Sequence, residues 1–132
     1  MQVQLKRVYE PVQETDGCRV LVDRLWPRGI KKEQAQLTHW LREVAPSPDL
    51  RKWFHHDSTR FIEFSQLYET ELGTRQDARE GVTKLLQWAS QGPLTLVYGA
   101  SDPVHNHALV LLHHLQKSAK GAHGFDKSTP SV

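Results

Sequence analysis

Apolar positions along the chain follow two different periods. In "RVLVDRL", residues 19–25, Val20, Leu21 and Val22 run together, and "LTLVYGA", residues 94–100, has the same character. Short continuous apolar runs bounded by turn formers predict strands buried on both faces. Pro27 ends the first run, because it holds Trp26 extended and has no N–H to donate. Val3, Leu5 and Val8 alternate in part with polar residues and predict a weaker first strand. Elsewhere the period is helical. Leu37, Trp40, Leu41 and Val44 fall at i, i+3, i+4 and i+7 and predict one amphipathic helix over 31–44. Ser47 and Pro48 suit the N-cap and first position of a short helix through Trp53 and Phe54. Phe61, Phe64, Tyr68 and Leu72 predict a helix that starts near Asp57 or Ser58 and closes at Gly73. Val82, Leu85, Leu86 and Ala89 predict another from about Arg75 to Ser90. A last periodic run, Val104, Ala108, Leu111, Leu112 and Leu115, follows the second strong strand, with Asp102 placed as N-cap and Pro103 at N1.

Strands separated by helices predict an α/β fold with a small, mainly parallel sheet flanked by four to five helices. The expected organisation is a single compact domain over residues 1–116 and a flexible C-terminal tail over 117–132, where the periodic pattern stops. Only nine or so residues separate the first two strands, too few for a helical crossover. The first strand therefore either forms a hairpin with the second or lies elsewhere.

Composition narrows the class. A chain of 132 residues, 38% hydrophobic and 24% charged, is long enough for one real core and is not the composition of a disordered protein. Seventeen basic and fifteen acidic side chains leave +2, so only a local clustering of arginine would argue for nucleic acid. Cys18 is the only cysteine, which excludes an intrachain disulfide and any cysteine-based metal site and fits a reducing, cytoplasmic setting. The N-terminus lacks the apolar core of a secretory signal, and no apolar run approaches the ~20 residues of a membrane span, so no membrane partner is expected.

In open α/β sheets, ligands collect beyond the carboxyl ends of the strands. Two segments here run off such ends, "DRLWPRG" and "YGASDPVHNH". Arg24 and Arg28 offer paired donors to a carboxylate or phosphate, Trp26 a planar face, and Gly29 a backbone turn whose amides can face an anion. The competing reading has Asp23 neutralising an arginine and Trp26 packing in the core. Asp102 and His107 are the candidates for an acid–base step, although Asp102 also serves as a helix cap. On a helix His105 and His107 would point about 200° apart, and no HExxH pattern is present, so no metal site is expected. "LRKWFHHD", residues 50–57, interleaves basic groups with aromatics, as single-strand binders do and as ordinary solvated helices do more often. Gly-rich nucleotide loops, a GxSxG elbow and a phosphatase cysteine loop are all missing, and no cofactor is implied.

"RVLVDRLWPRGI", "WLREVAPSPDLRKWFHHD" and "LTLVYGASDPVHNHALVLLHHL" resemble the YeaO-like branch of the uncharacterised bacterial family known as domain of unknown function 488. The resemblance covers roughly residues 3–116 and implies a cytoplasmic α/β domain without an established activity. Its motifs are matched at Asp23, Arg24, Trp26, Pro27, Arg28 and Gly29, at Trp53, Phe54 and His56, and at Tyr98, Asp102, Asn106 and His107. Another branch carries a Cys-His-Arg triplet near the last motif. Here Asn106-His107-Ala108 stands there, so thiol chemistry does not carry over.

These readings converge on a small protein that binds an anionic, phosphate-bearing ligand at the strand ends, with hydrolysis as an open extension. Arg24 and Arg28 would grip the anion, Trp26 or Trp53 would line the pocket, and Asp102 and His107 would carry any proton transfer. The alternative is a non-catalytic module for nucleic acid or a protein partner, with the arginines and "LRKWF" on an exposed face.

Overall fold

In the computed structural model, which describes the backbone of residues 1–131 and the side chains of residues 1–119, four strands form one sheet. They are β1 (Val3–Arg7), β2 (Cys18–Leu21), β3 (His39–Trp40) and β4 (Leu94–Tyr98), in the spatial order β1-β4-β2-β3, with every neighbouring pair parallel. Five helices accompany them: α1 (Lys32–Ala35), α2 (Pro48–Phe54), α3 (Phe61–Thr74), α4 (Gln76–Gln91) and α5 (His107–Ser131). The single α/β domain with a small parallel sheet is as the sequence predicts. β1 does not make a hairpin with β2. It pairs instead with β4, from Val3 opposite Leu94 to Arg7 opposite Tyr98. Apart from its first three residues, the tail expected at 117–132 lies outside the described side chains.

Alternation along the strands sorts residues to two faces. Val20 and Val22, with Leu94, Leu96 and Tyr98, face the main core, where they meet Phe64, Tyr68 and Leu72 of α3, Leu85 of α4 and Leu111 of α5. Leu21 and Val97 face the other way, into a smaller cluster with Val8 and Ala35, against which Trp26, Leu37 and Trp40 pack. That second face also carries a buried polar group. Asp16 is fully buried and accepts from Lys6, Gln4 and Arg19, and Thr95 donates to its carbonyl.

The single helix expected over 31–44 is not formed. α1 lasts four residues and stops at Gln36, which takes a left-handed conformation with φ 44°. The chain then runs along the sheet edge as β3, Thr38 N–H donating to Arg19 O at 2.7 Å and Leu41 N–H to Leu21 O at 2.9 Å. The apolar stripe is divided between the two faces: Leu37 and Trp40 serve the small cluster, Leu41 and Val44 the main core. A helical period was produced by two half-buried segments on opposite sides of one sheet.

The other helices follow their signals closely. Ser47 Oγ accepts the Leu50 amide at 3.2 Å with Pro48 at the first position of α2. Phe64, Tyr68 and Leu72 form the buried stripe of α3. α5 starts later than expected, at His107 and not at Pro103. Asp102 Oδ1 accepts the amides of Val104 and His105, closing a turn, and Asn106 takes over as cap by accepting the Leu109 amide at 2.9 Å. Among the described residues no helix is long and apolar enough to cross a membrane.

Candidate functional site

β2 and β4 deliver their carboxyl ends side by side, with Val22 N–H donating to Val97 O at 3.0 Å. The segments that leave them border one cleft of about 460 Å³, closed on its third side by Arg51, Phe54 and His56 in and just after α2. The two segments singled out in the sequence therefore do share a rim.

At the cleft floor Asp23 Oδ2 accepts the Gly99 amide at 2.9 Å. A side chain on Gly99 would begin 3.0 Å from that oxygen, so the bare glycine lets β4 approach the carboxylate. His107 Nε2 lies 3.1 Å from Val22 O and 3.1 Å from Asp23 Oδ1. Both neighbours are acceptors, which assigns the proton to Nε2. The carbonyl receives the hydrogen bond; Asp23 Oδ1, close but out of line, is buried without one. His107 Nδ1 has no partner among the described residues and is not sealed from solvent. The carboxylate beside His107 is thus Asp23, not Asp102.

Asp102 is engaged elsewhere. Its Oδ2 meets His105 Nδ1 at 2.8 Å. The Val104 amide, followed by the ring and amide of His105, holds its carboxyl below the ordinary range, which makes it a poor base at neutral pH. The residue does not line the cleft, whereas His105 does.

Three guanidinium groups do line it, those of Arg24, Arg28 and Arg51. Arg24 donates to the carbonyls of Ala45 and Pro46 at 3.2–3.3 Å, while its Nη1 is unpartnered and open. Arg28 and Arg51 are exposed and make no side-chain hydrogen bond or ion pair with the described residues. None of the three meets a carboxylate within 4.0 Å among the described residues, so Asp23 does not neutralise an arginine.

The remaining candidates divide. Trp26 is half-buried at the cleft wall, its Nε1 donating to Ile30 O at 2.7 Å and its ring set edge-on to Trp40. His56 lines the cleft in a left-handed conformation, φ 55°, directly after His55 at φ 46°. Asn106 is buried there and satisfied by Asp102 O and the Leu109 amide. Gly29, φ 78°, turns the corner with open space where a side chain would stand. Trp53 and Tyr98 are not at the cleft. Trp53 packs against the main core beneath the Arg60 guanidinium, 5.2 Å from its ring centre. Tyr98 shares the helix-facing side of β4 with Leu94 and Leu96, and burial pushes its hydroxyl pKa up.

Sequence reasoning missed Tyr9 and Arg51 as lining residues. Arg51 carried a signal, a basic residue on the exposed face of a helix whose other face, Leu50 and Phe54, is buried. Tyr9 carried none, since it reaches the cleft only because β1 lies beside β4.

Together these features define a small parallel α/β domain with an arginine-lined cleft at its strand ends and an imidazole–carboxylate pair on the floor. The chain belongs to the family described as the inactive DUF488-N3 subclade, whose family model matches residues 2–132. Its relatives include the uncharacterised protein YeaO of Escherichia coli K12, 48% identical over 84% of this chain and 94% of YeaO. They also include the uncharacterised proteins Mb3100c of Mycobacterium bovis and Rv3073c of Mycobacterium tuberculosis, each 39% identical over 83% of this chain and 89% of theirs. The YeaO-like resemblance is thereby borne out. No solved structure gives a significant match.

Proposed function

We propose that the cleft binds an anionic, phosphate-bearing small ligand without turning it over. The observation that carries this reading is the convergence of Arg24, Arg28 and Arg51 on one cleft, none of them paired with a carboxylate among the described residues. Guanidinium groups left without counterions at a concave surface are suited to an incoming oxyanion, which they bind through paired donors. Trp26 beside the cleft, and Trp53 away from it against the core, favour an enclosed ligand over an open basic–aromatic face for nucleic acid. Membership of a subclade described as inactive agrees with binding alone.

Hydrolysis is the second reading, and the Asp23–His107 pair favours it: a carboxylate beside one ring nitrogen leaves the other free to accept a proton. Against it, Asp102 is already engaged and Asn106 acts as a helix cap.

A thermal-shift series with inorganic phosphate and sugar phosphates tests binding, because a ligand of the folded state raises the midpoint by mass action. The expected result is a concentration-dependent rise that Arg28→Ala with Arg51→Ala removes. A rise unaffected by the double variant contradicts the reading. Phosphate release from the same compounds, lost in His107→Gln, would move the conclusion to hydrolysis.

A further inference from the structure

The cleft is larger than one oxyanion needs. Its volume of about 460 Å³ falls within the roughly 300–1,000 Å³ typical of sites for organic ligands. Tyr9 stands on the same lining as Arg28, and the residue is 46% exposed. It is nonetheless held firmly. The hydroxyl donates to Arg28 O at 2.9 Å, tying the far end of the side chain to the arginine corner. The Arg7 guanidinium carbon lies 4.9 Å from the ring centre, and Arg7 Nε in turn donates to Ala100 O at 2.8 Å. An aromatic ring fixed at both ends, backed by a cation and open to water, loses little freedom when a flat group settles on it. Stacking on such a platform is indifferent to which base is presented.

Resting on the anion-binding reading above, we infer that the ligand is a nucleoside monophosphate, its base lying on Tyr9 and its phosphate reaching Arg28 and the open Nη1 of Arg24. Tyr9 is tied to the Arg28 backbone and both residues line the cleft, so an aromatic ring and a guanidinium are offered to one ligand, as a base and its phosphate require.

Calorimetric titration of the full chain with adenosine 5′-monophosphate, ribose 5-phosphate and inorganic phosphate tests the inference. The nucleotide should bind about ten-fold or more tightly than ribose 5-phosphate, the range expected for one stacked base. Tyr9→Leu should abolish that ratio, and Tyr9→Trp, which keeps an aromatic face, should preserve it. Equal affinities for the two compounds, or a ratio that survives Tyr9→Leu, overturn the base platform alone. If none of the three phosphates binds, the anion-binding reading fails, and this inference fails with it.

Discussion

Asp23 stands with one carboxylate oxygen 3.1 Å from His107 Nε2 and the other 2.9 Å from the Gly99 amide nitrogen. A single side chain thereby joins the end of β2, the end of β4 and the first residue of α5, which together form the cleft floor. Asp23→Asn keeps the shape but turns one oxygen into a donor. If the amide oxygen serves Gly99, its NH2 faces an imidazole N–H already committed to Val22 O. The variant should lose about 1–3 kcal/mol of stability, the cost of a buried polar group left facing the wrong partner. Urea denaturation checks this, and a loss below 0.5 kcal/mol, the about 0.5 kcal/mol scatter of surface changes, would contradict the role assigned to Asp23.

Two glycines with positive φ should respond very differently to alanine. Gly17, φ +64°, would set a new Cβ 2.3 Å from Pro93 O, a backbone atom of the loop entering β4. Gly29, φ +78°, would meet nothing within 4 Å. Gly29→Ala should cost only the left-handed conformation, about 1–2 kcal/mol. Gly17→Ala adds displacement of a strand entry and should cost more than twice as much, by thermal or urea unfolding of the two variants side by side.

The polar group under the sheet predicts a pH dependence. Burial by itself raises the Asp16 carboxyl, but Lys6, the Gln13 amide and Arg19 outweigh it and hold the group below its usual value. Its contribution to stability is therefore complete above the unfolded value of about 3.9 and is lost as pH falls through the lower folded value. Asp16→Asn should destabilise the chain by about 3–5 kcal/mol at pH 7, because Arg19, only 3% exposed, keeps its charge without a counterion. The deficit should narrow in acid. A deficit independent of pH would show that Asp16 contributes shape alone.

Arg24 and Arg28 should separate stability from binding. Arg24→Ala leaves the carbonyl of Pro46 without its donor, while Ala45 O keeps Arg75, so it should lower stability by about 1–3 kcal/mol as well as weaken phosphate binding. Arg28→Ala removes no side-chain hydrogen bond or ion pair among the described residues and should leave stability within about 0.5 kcal/mol of wild type while weakening phosphate. Equal destabilisation by the two would place Arg28 in the fold and not at the ligand.

Much of this was legible where one residue's environment is set by its near neighbours in sequence. The continuous runs of β2 and β4, the Ser47-Pro48 start and the Phe64–Tyr68–Leu72 stripe were read correctly, and the shared rim followed from the two strand ends. Parity along β4 also placed Tyr98 with Leu94 and Leu96 on the helix-facing side of the sheet. The stripe through Leu37, Trp40, Leu41 and Val44 misled because burial on two sides of a sheet imitates a helical period. The pairing of His107 with Asp23, and of Tyr9 with Arg28, joins residues 84 and 19 positions apart and depends on the strand order alone. No local signal encodes it.

The central claim is that the Arg24–Arg28 corner and the Gly99–His107 segment form one anion-binding cleft. Amide and indole resonances of the 15N-labelled chain, followed as inorganic phosphate is added, test it most directly. The account predicts saturable shifts gathered at Arg24–Gly29, Gly99–His107 and the Trp26 indole, with the Trp53 and Trp88 indoles unmoved. Saturable shifts centred on α4, or none at any of these positions, would contradict it.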